Sequence, residues 1–188
     1  MSVLDNGNPV WFLMRGSGVV SLLLLTGVMA LGIATRGGVR LGSLPRFATL
    51  ALHRSVALLS VVFIAIHVTT AVIDPYASVR LVDVFVPFAA ASRPLLVGLG
   101  AVALDLVLAL VVTGLLRERI GHRTWRAIHW AAYATWPLAL VHAVGIGSDA
   151  SSLWLRLLAV GSVALIGAAL VWRLLLPSSD SSSPAGAR

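Results

Sequence analysis

The chain has 188 residues, 59% of them hydrophobic and 11% charged, with a mean hydropathy of +0.96 and a formal charge of +7. A soluble domain of this size could not hide that much apolar surface in one core, so the composition excludes a water-soluble globule and implies an integral membrane protein. The absence of cysteine excludes disulfides, iron–sulfur clusters, thiolate ligation and covalent cofactor attachment through a CxxCH motif.

Residues 1–16 read as an N-terminal interfacial segment carrying Asp5 and Arg15. No small-residue cleavage site follows, so the first apolar run is expected to be retained as a span. That span covers 17–35, and the link after it holds Arg36, Arg40 and Arg46. Span two, 47–73, contains His53 and His67, fourteen positions apart. The following link balances Arg80 and Arg93 with Asp74 and Asp83; within it residues 80–94 are too short to cross and suit a short interfacial helix or lid. Span three, 94–117, places Asp105 at mid-membrane, where an ionised carboxylate costs about 2.5 kcal/mol or more, so a neutral form or a polar partner is expected. That partner is either a neighbouring helix or a histidine side chain.

The third link carries Arg117, Arg119, Arg123 and Arg126 against Glu118, together with His122, read as an interfacial residue. Span four, 124–145, contains His129 and His142, thirteen apart, with Trp136 and Pro137 between them. Span five covers 152–176, and the polar end 177–188 reads as a disordered tail. The expected fold is therefore all-α, a transmembrane bundle of five helices over 17–176. Each helix is near the roughly 20 residues that a crossing requires.

Arginines supply all fourteen basic side chains and concentrate in the first and third links, which places those links in the cytoplasm, the N-terminus outside and the C-terminus inside. The charge thus reads as membrane topology with attraction to anionic lipid, and no nucleic-acid partner is expected. Spans two and four then run the same way. His53 and His129 share the inner depth, His67 and His142 the outer.

Each pair on one helix lies roughly 20 Å apart along the axis, the scale of two haems stacked across a bilayer of about 30 Å. A lone intramembrane histidine is equally well explained by an interhelical hydrogen bond or a polar cavity. Four at two matching depths favour ligation, with one haem b between His53 and His129 and another between His67 and His142. Fourteen residues return to within about 40° of the same helix face, whereas thirteen leave the second side chain roughly 140° away. Span two satisfies the geometry directly. Span four needs Pro137 to kink or rewind the helix between its histidines. Trp136, within about 20° of the His129 face, is placed either between the haems or in ordinary bundle packing.

Residues 92–149, SRPLLVGLGAVALDLVLALVVTGLLRERIGHRTWRAIHWAAYATWPLALVHAVGIGSD, resemble the ferric reductase-like transmembrane domain shared by NADPH oxidases, eukaryotic ferric reductases and bacterial haem-b membrane subunits. The opening WFLMRGSGVVSLLLLTGVMALGI, residues 11–33, is similar to the start of the bacterial members, and the likeness extends over roughly 11–175. The resemblance implies that His53, His67, His129 and His142 are the haem ligands. Among Arg15, Arg80, Arg93 and Arg156, all available to the outer haem propionates, it favours Arg15, while Arg54 beside His53 and Arg126 one turn from His129 are candidates at the inner haem by their positions. Each of these arginines also suits an interfacial side chain snorkelling to headgroups.

Larger relatives continue into a flavin and nicotinamide domain. Here GLG at 98–100 and GIG at 145–147 lack the context of a dinucleotide fingerprint and read as packing or loop glycines. The resemblance therefore implies an oxidoreductase or its haem-b subunit in a cell membrane, of the bacterial plasma-membrane type. It would be fed by a separate flavoprotein reductase or quinol and would pass electrons to an exterior acceptor such as ferric iron, oxygen or an extracytoplasmic flavoprotein. Two alternatives stand beside it: a cytochrome b561-like quinone-coupled subunit and a non-redox haem-handling membrane protein.

Overall fold

The computed structural model describes residues 9–36, 45–146 and 151–175, and all of its regular structure is helical. The tail expected at 177–188 lies outside the described residues. The helices are α1 (Pro9–Arg36), α2 (Arg46–Ile73), α3 (Leu81–Phe85), α4 (Pro94–Leu115), α5 (Arg117–Ile120), α6 (His122–His129), α7 (Ala132–Ile146) and α8 (Leu153–Leu175). Among the described residues four helices are long and apolar enough to cross a membrane: Pro9–Thr35, Phe47–Ile73, Pro94–Leu115 and Leu153–Leu175. The first starts well before the residue 17 expected from hydropathy. Pro9 suits the first helical turn, where its missing N–H is not needed.

Four long spans stand in place of the five expected, because the fourth expected span is divided between α6 and α7. The division falls at Trp130–Ala131, one to two turns before Pro137, which itself lies inside α7. Around it the backbone closes four i→i−3 hydrogen bonds, Trp130 to Ala127, Ala131 to Ile128, Tyr133 to Trp130 and Ala134 to Ala131, before Thr135 resumes i→i−4 bonding to Ala131. This is a stretch of 3₁₀ winding, and Pro137 explains its place, since the proline ring crowds the carbonyl four residues earlier, that of Tyr133.

α1 packs along α2, α4 packs along α7, and α1 also meets α7 and α8, so the two helix pairs join through α1. The buried apolar cluster is small: Met29, Ile33 and Ile166, with Tyr133 and Trp136 against it. Large apolar side chains such as Leu58, Val62, Leu157 and Val160 face outward, as suits helices solvated by lipid rather than water. The buried hydroxyls of Ser17, Ser21 and Thr26 bond to carbonyls one turn back in α1, so none is left unsatisfied in an apolar setting.

Candidate functional site

His53, His67 and His142 each bond to a backbone carbonyl on a neighbouring helix. His67 Nδ1 lies 2.8 Å from Met14 O and His53 Nδ1 3.1 Å from Val28 O, both on α1, and His142 Nδ1 lies 2.7 Å from Leu96 O on α4. A carbonyl oxygen can only accept, so in each ring Nδ1 carries a proton and donates it, and in the neutral imidazole this leaves the lone pair on Nε2. That tautomer ligates a metal through Nε2 while the oxygen behind fixes the ring.

His67 and His142 come together. Their ring centroids are 6.3 Å apart with planes at 80°. Two imidazoles on opposite sides of one metal, at roughly 2 Å per bond, have centroids about 6 Å apart, so this pair stands at the separation that a shared metal requires. Both rings line a cavity of about 530 Å³, within the range of cofactor pockets, whose wall also includes Trp11, Arg15, Arg93 and Leu155.

One side of this cavity is formed by the connection between α2 and α4. Arg80 folds back on Asp83, with Nε and Nη2 donating to its two carboxylate oxygens at 3.1 and 2.7 Å and the Arg80 N–H donating to Oδ2 at 2.9 Å. Arg80 Nη2 also bonds Ala89 O, and Arg93 Nη1 bonds Ile146 O at the end of α7. The segment expected as a short helix or lid therefore contains a five-residue helix, α3, held by arginine clasps at both ends. Asp83 is 1% exposed, covered by its own clasp rather than sunk in the bundle, and the Arg80 guanidinium and N–H hold its carboxyl below the usual range.

His53 and His129, the pair expected at the inner depth, are placed differently. His53 is anchored on α1 as described, whereas the ring of His129, the last residue of α6, stacks on Trp125 at 4.9 Å between centroids. Arg15 lies half-buried in α1 with its guanidinium 4.2 Å from the centre of the Trp11 ring, at the cavity lined by His67 and His142. Arg54 is exposed beside His53, and Arg126 Nη2 is 2.7 Å from His122 Nε2 on the surface of α6. Asp105 makes no hydrogen bond to any described residue, so neither the helix-to-helix bond nor the histidine bond expected of it is found among them, and three of the rings bond instead to the carbonyls of Met14, Val28 and Leu96. Trp136 Nε1 donates to Thr26 Oγ1 at 2.9 Å, and its ring packs on the Met29–Ile33–Ile166 cluster.

Glycines were missed as site residues. Gly18, Gly32 and Gly100 each lie against one of the anchored rings, and a Cβ at these positions would stand 2.9 Å from His67, 3.4 Å from His53 and 2.7 Å from His142. The signal was present in the sequence, since Gly18 and Gly32 are separated by the same fourteen residues as His53 and His67.

Residues 17–140 match the family model of the ferric reductase like transmembrane component. The chain belongs to that family. Its match takes in His53, His67 and His129 and closes two residues before His142. No curated protein and no solved structure matches it. Membership in the ferric reductase-like family implies electron transfer in the membrane through haem. The donor set here fits that group: the imidazoles of His67 and His142, each with Nδ1 rather than Nε2 on the backbone, lie 6.3 Å apart on the wall of a largely apolar cavity that Arg15 and Arg93 also line.

Proposed function

We propose that this ferric reductase-like chain is a di-haem b-type cytochrome that carries electrons across the membrane to an exterior acceptor, supplied by a separate reductase or quinol. His67 and His142 hold the outer haem, and His53 and His129 the inner. The observation that carries the reading is the His67–His142 pair, 6.3 Å apart with both Nδ1 protons committed to helix carbonyls. The haem irons supply the one-electron chemistry. The chain's own residues hold the rings in one tautomer, exclude water with apolar walls and place cations near the propionates: Arg15 at the outer haem, Arg54 and Arg126 at the inner. α6 and α7 together make the fifth crossing, with the N-terminus outside; α7 alone, at 15 residues and so about 22 Å, falls short of a hydrocarbon core of about 30 Å.

The overwound turn supports the inner pairing. About four residues at about 120° and 2.0 Å each, in place of 100° and 1.5 Å, reduce the angular offset between His129 and His142 from roughly 140° to roughly 60° and raise their axial separation to about 21.5 Å. Fourteen residues of regular helix, as between His53 and His67, give about 40° and 21 Å. Thirteen residues with a 3₁₀ turn therefore match fourteen without one in both rotation and rise.

Reduced-minus-oxidised spectra with haem quantitation on the purified chain test this. Two haems per chain are expected, falling to one in each of His53→Ala, His67→Ala, His129→Ala and His142→Ala, with the first and third sparing the outer haem and the second and fourth the inner. Haem-free wild-type protein of native stability would overturn the assignment.

A further inference from the structure

The three anchored histidines repeat one device. His67 bonds the carbonyl of Met14 and lies on Gly18; His53 bonds that of Val28 and lies on Gly32; His142 bonds that of Leu96 and lies on Gly100. In each case the glycine is four residues after the carbonyl. Side chains in a helix lean toward its N-terminus, so the residue at i+4 covers the carbonyl of residue i from outside. Only a residue without a side chain leaves that oxygen open to a ring arriving from a neighbouring helix. The contacts are tight at two of the three, 2.9 Å for a Cβ on Gly18 and 2.7 Å on Gly100, closer than a Cβ can approach an imidazole, and looser at Gly32, where the Cβ would stand 3.4 Å from His53.

α1 carries two such seats fourteen residues apart, Gly18 and Gly32, and receives the two histidines of α2. α4 carries Gly100, and fourteen residues further inward Gly114, preceded four residues earlier by Leu110. A Cβ at Gly114 would meet nothing within 4 Å. Thr113 makes its short hydroxyl bond to Ala109 O at 2.6 Å, with Leu110 O at 3.4 Å. Following α4 inward from Gly100, and α7 and α6 inward from His142, the matched rises bring Gly114 and His129 to the same depth, and α6 packs against α4. The two helix pairs are thus pseudo-equivalent, each a glycine helix serving a histidine helix, with three of four seats filled.

We infer that Gly18, Gly32, Gly100 and Gly114 are positioning residues that each seat one histidine on the carbonyl four residues earlier, and that Gly114 with the Leu110 carbonyl is the seat of His129. This rests on the di-haem reading and adds to it the groups that set the orientation and tautomer of each ring. On seating, the Nδ1–H of His129 donates to Leu110 O.

Gly114→Ala is the discriminating variant. If the glycine has no role, alanine in an open position of a helix leaves the protein as stable or more so, with haem content unchanged. A seat for His129 makes the same methyl group block it. The purified Gly114→Ala protein is then expected to lose inner-haem affinity by about tenfold or more, the usual effect of removing a ligand's supporting contact, while its helix content and outer haem are retained. The low-spin ferric EPR signal and midpoint potential of the residual inner haem should shift. Gly18→Ala should do the same to the outer haem, and Gly161→Ala, equally open on α8, should change neither.

Wild-type haem content, EPR signal and potential in Gly114→Ala, alongside a lost inner haem in His129→Ala, would overturn the seat and leave the di-haem reading intact. Two haems retained in His129→Ala would overturn both. Should Gly114→Ala fail to fold, the proposal falls as well, since an open helix position would then have been essential for packing; Gly18→Ala tests the filled seat separately, and wild-type outer-haem EPR there would refute the device.

Discussion

At one end of the bundle, the outer in the proposed orientation, the rings of His67 and His142 lie 6.3 Å apart, both anchored to helix carbonyls beside the clasped segment 80–93; at the other, the proposed inner end, His53 is anchored in the same way, while His129 stacks on Trp125 at the edge of an overwound turn. The difference follows from helix regularity. Every element that sets the outer pair is continuous α-helix on both sides of the contact, so backbone alone delivers the rings. The inner pair depends on a turn whose winding sets both the angle and the height of His129, so its geometry responds to any residue that changes the winding.

The largest effect that separates the two ends is expected from Pro137→Ala. Restoring an N–H and removing the ring that crowds the Tyr133 carbonyl lets residues 130–134 return to regular helix, which turns His129 by about 80° relative to His142 and shortens their separation by about 2 Å. Inner-haem affinity should fall about tenfold, the scale of a displaced ligand, with the outer haem untouched. Haem titration followed by potentiometry resolves the two. Equal loss at both ends would show that the turn does not act through His129.

The outer end has its own weak point in the Arg80–Asp83 clasp. Asp83 is held below the ordinary carboxyl range by the Arg80 guanidinium and N–H, so its contribution to closure is fully present above about pH 4 and is lost as pH falls through its lowered value. Arg80 is shifted upward by the same bond, so its contribution is complete at neutrality and is lost only in strong alkali. Between those limits the clasp should be insensitive to pH. Asp83→Asn should give at pH 7 the open segment that the wild type reaches only in acid, seen as faster hydrogen exchange confined to 80–93 and faster oxidation of the outer haem by a soluble acceptor. Unchanged exchange in the variant would mean that Arg93 on Ile146 O is sufficient closure.

How much of this was legible in the sequence depends on which physical signal carried it. Apolar length exposed the four long helices, and the fourteen-residue period placed His53 and His67 on one face, where α1 indeed receives both. Pro137 announced a disturbed helix but not its position, because the steric conflict is with a carbonyl one turn earlier and is relieved over the residues before that. The seats on α1 and α4 escaped notice because a glycine has no chemistry of its own, and its meaning here is the ring that fills its missing side chain. Asp105 drew attention by its charge, yet orienting the rings requires only an acceptor, and each neighbouring helix already carries one at every residue.

The smallest expected effect concerns the middle of the bundle, where neither end is favoured. Trp136 donates to Thr26 Oγ1 at 2.9 Å between the outer and inner levels, and the Thr26 hydroxyl in turn donates to Leu22 O at 2.8 Å, so the pair ties the histidine helix α7 to the glycine helix α1. Thr26→Val keeps the shape and removes the acceptor. Interhelical bonds of this kind average about 0.6 kcal/mol in membranes, so a slight loss of thermal stability is expected. Haem content should stay the same at both ends, because Trp136 fixes the spacing between the helix pairs without touching the carbonyl anchors of His53, His67 or His142. A selective loss of one haem in Thr26→Val would instead make this bond the register pin of that site, and would move the origin of the inner and outer difference from the winding of residues 130–134 to the contact between α1 and α7.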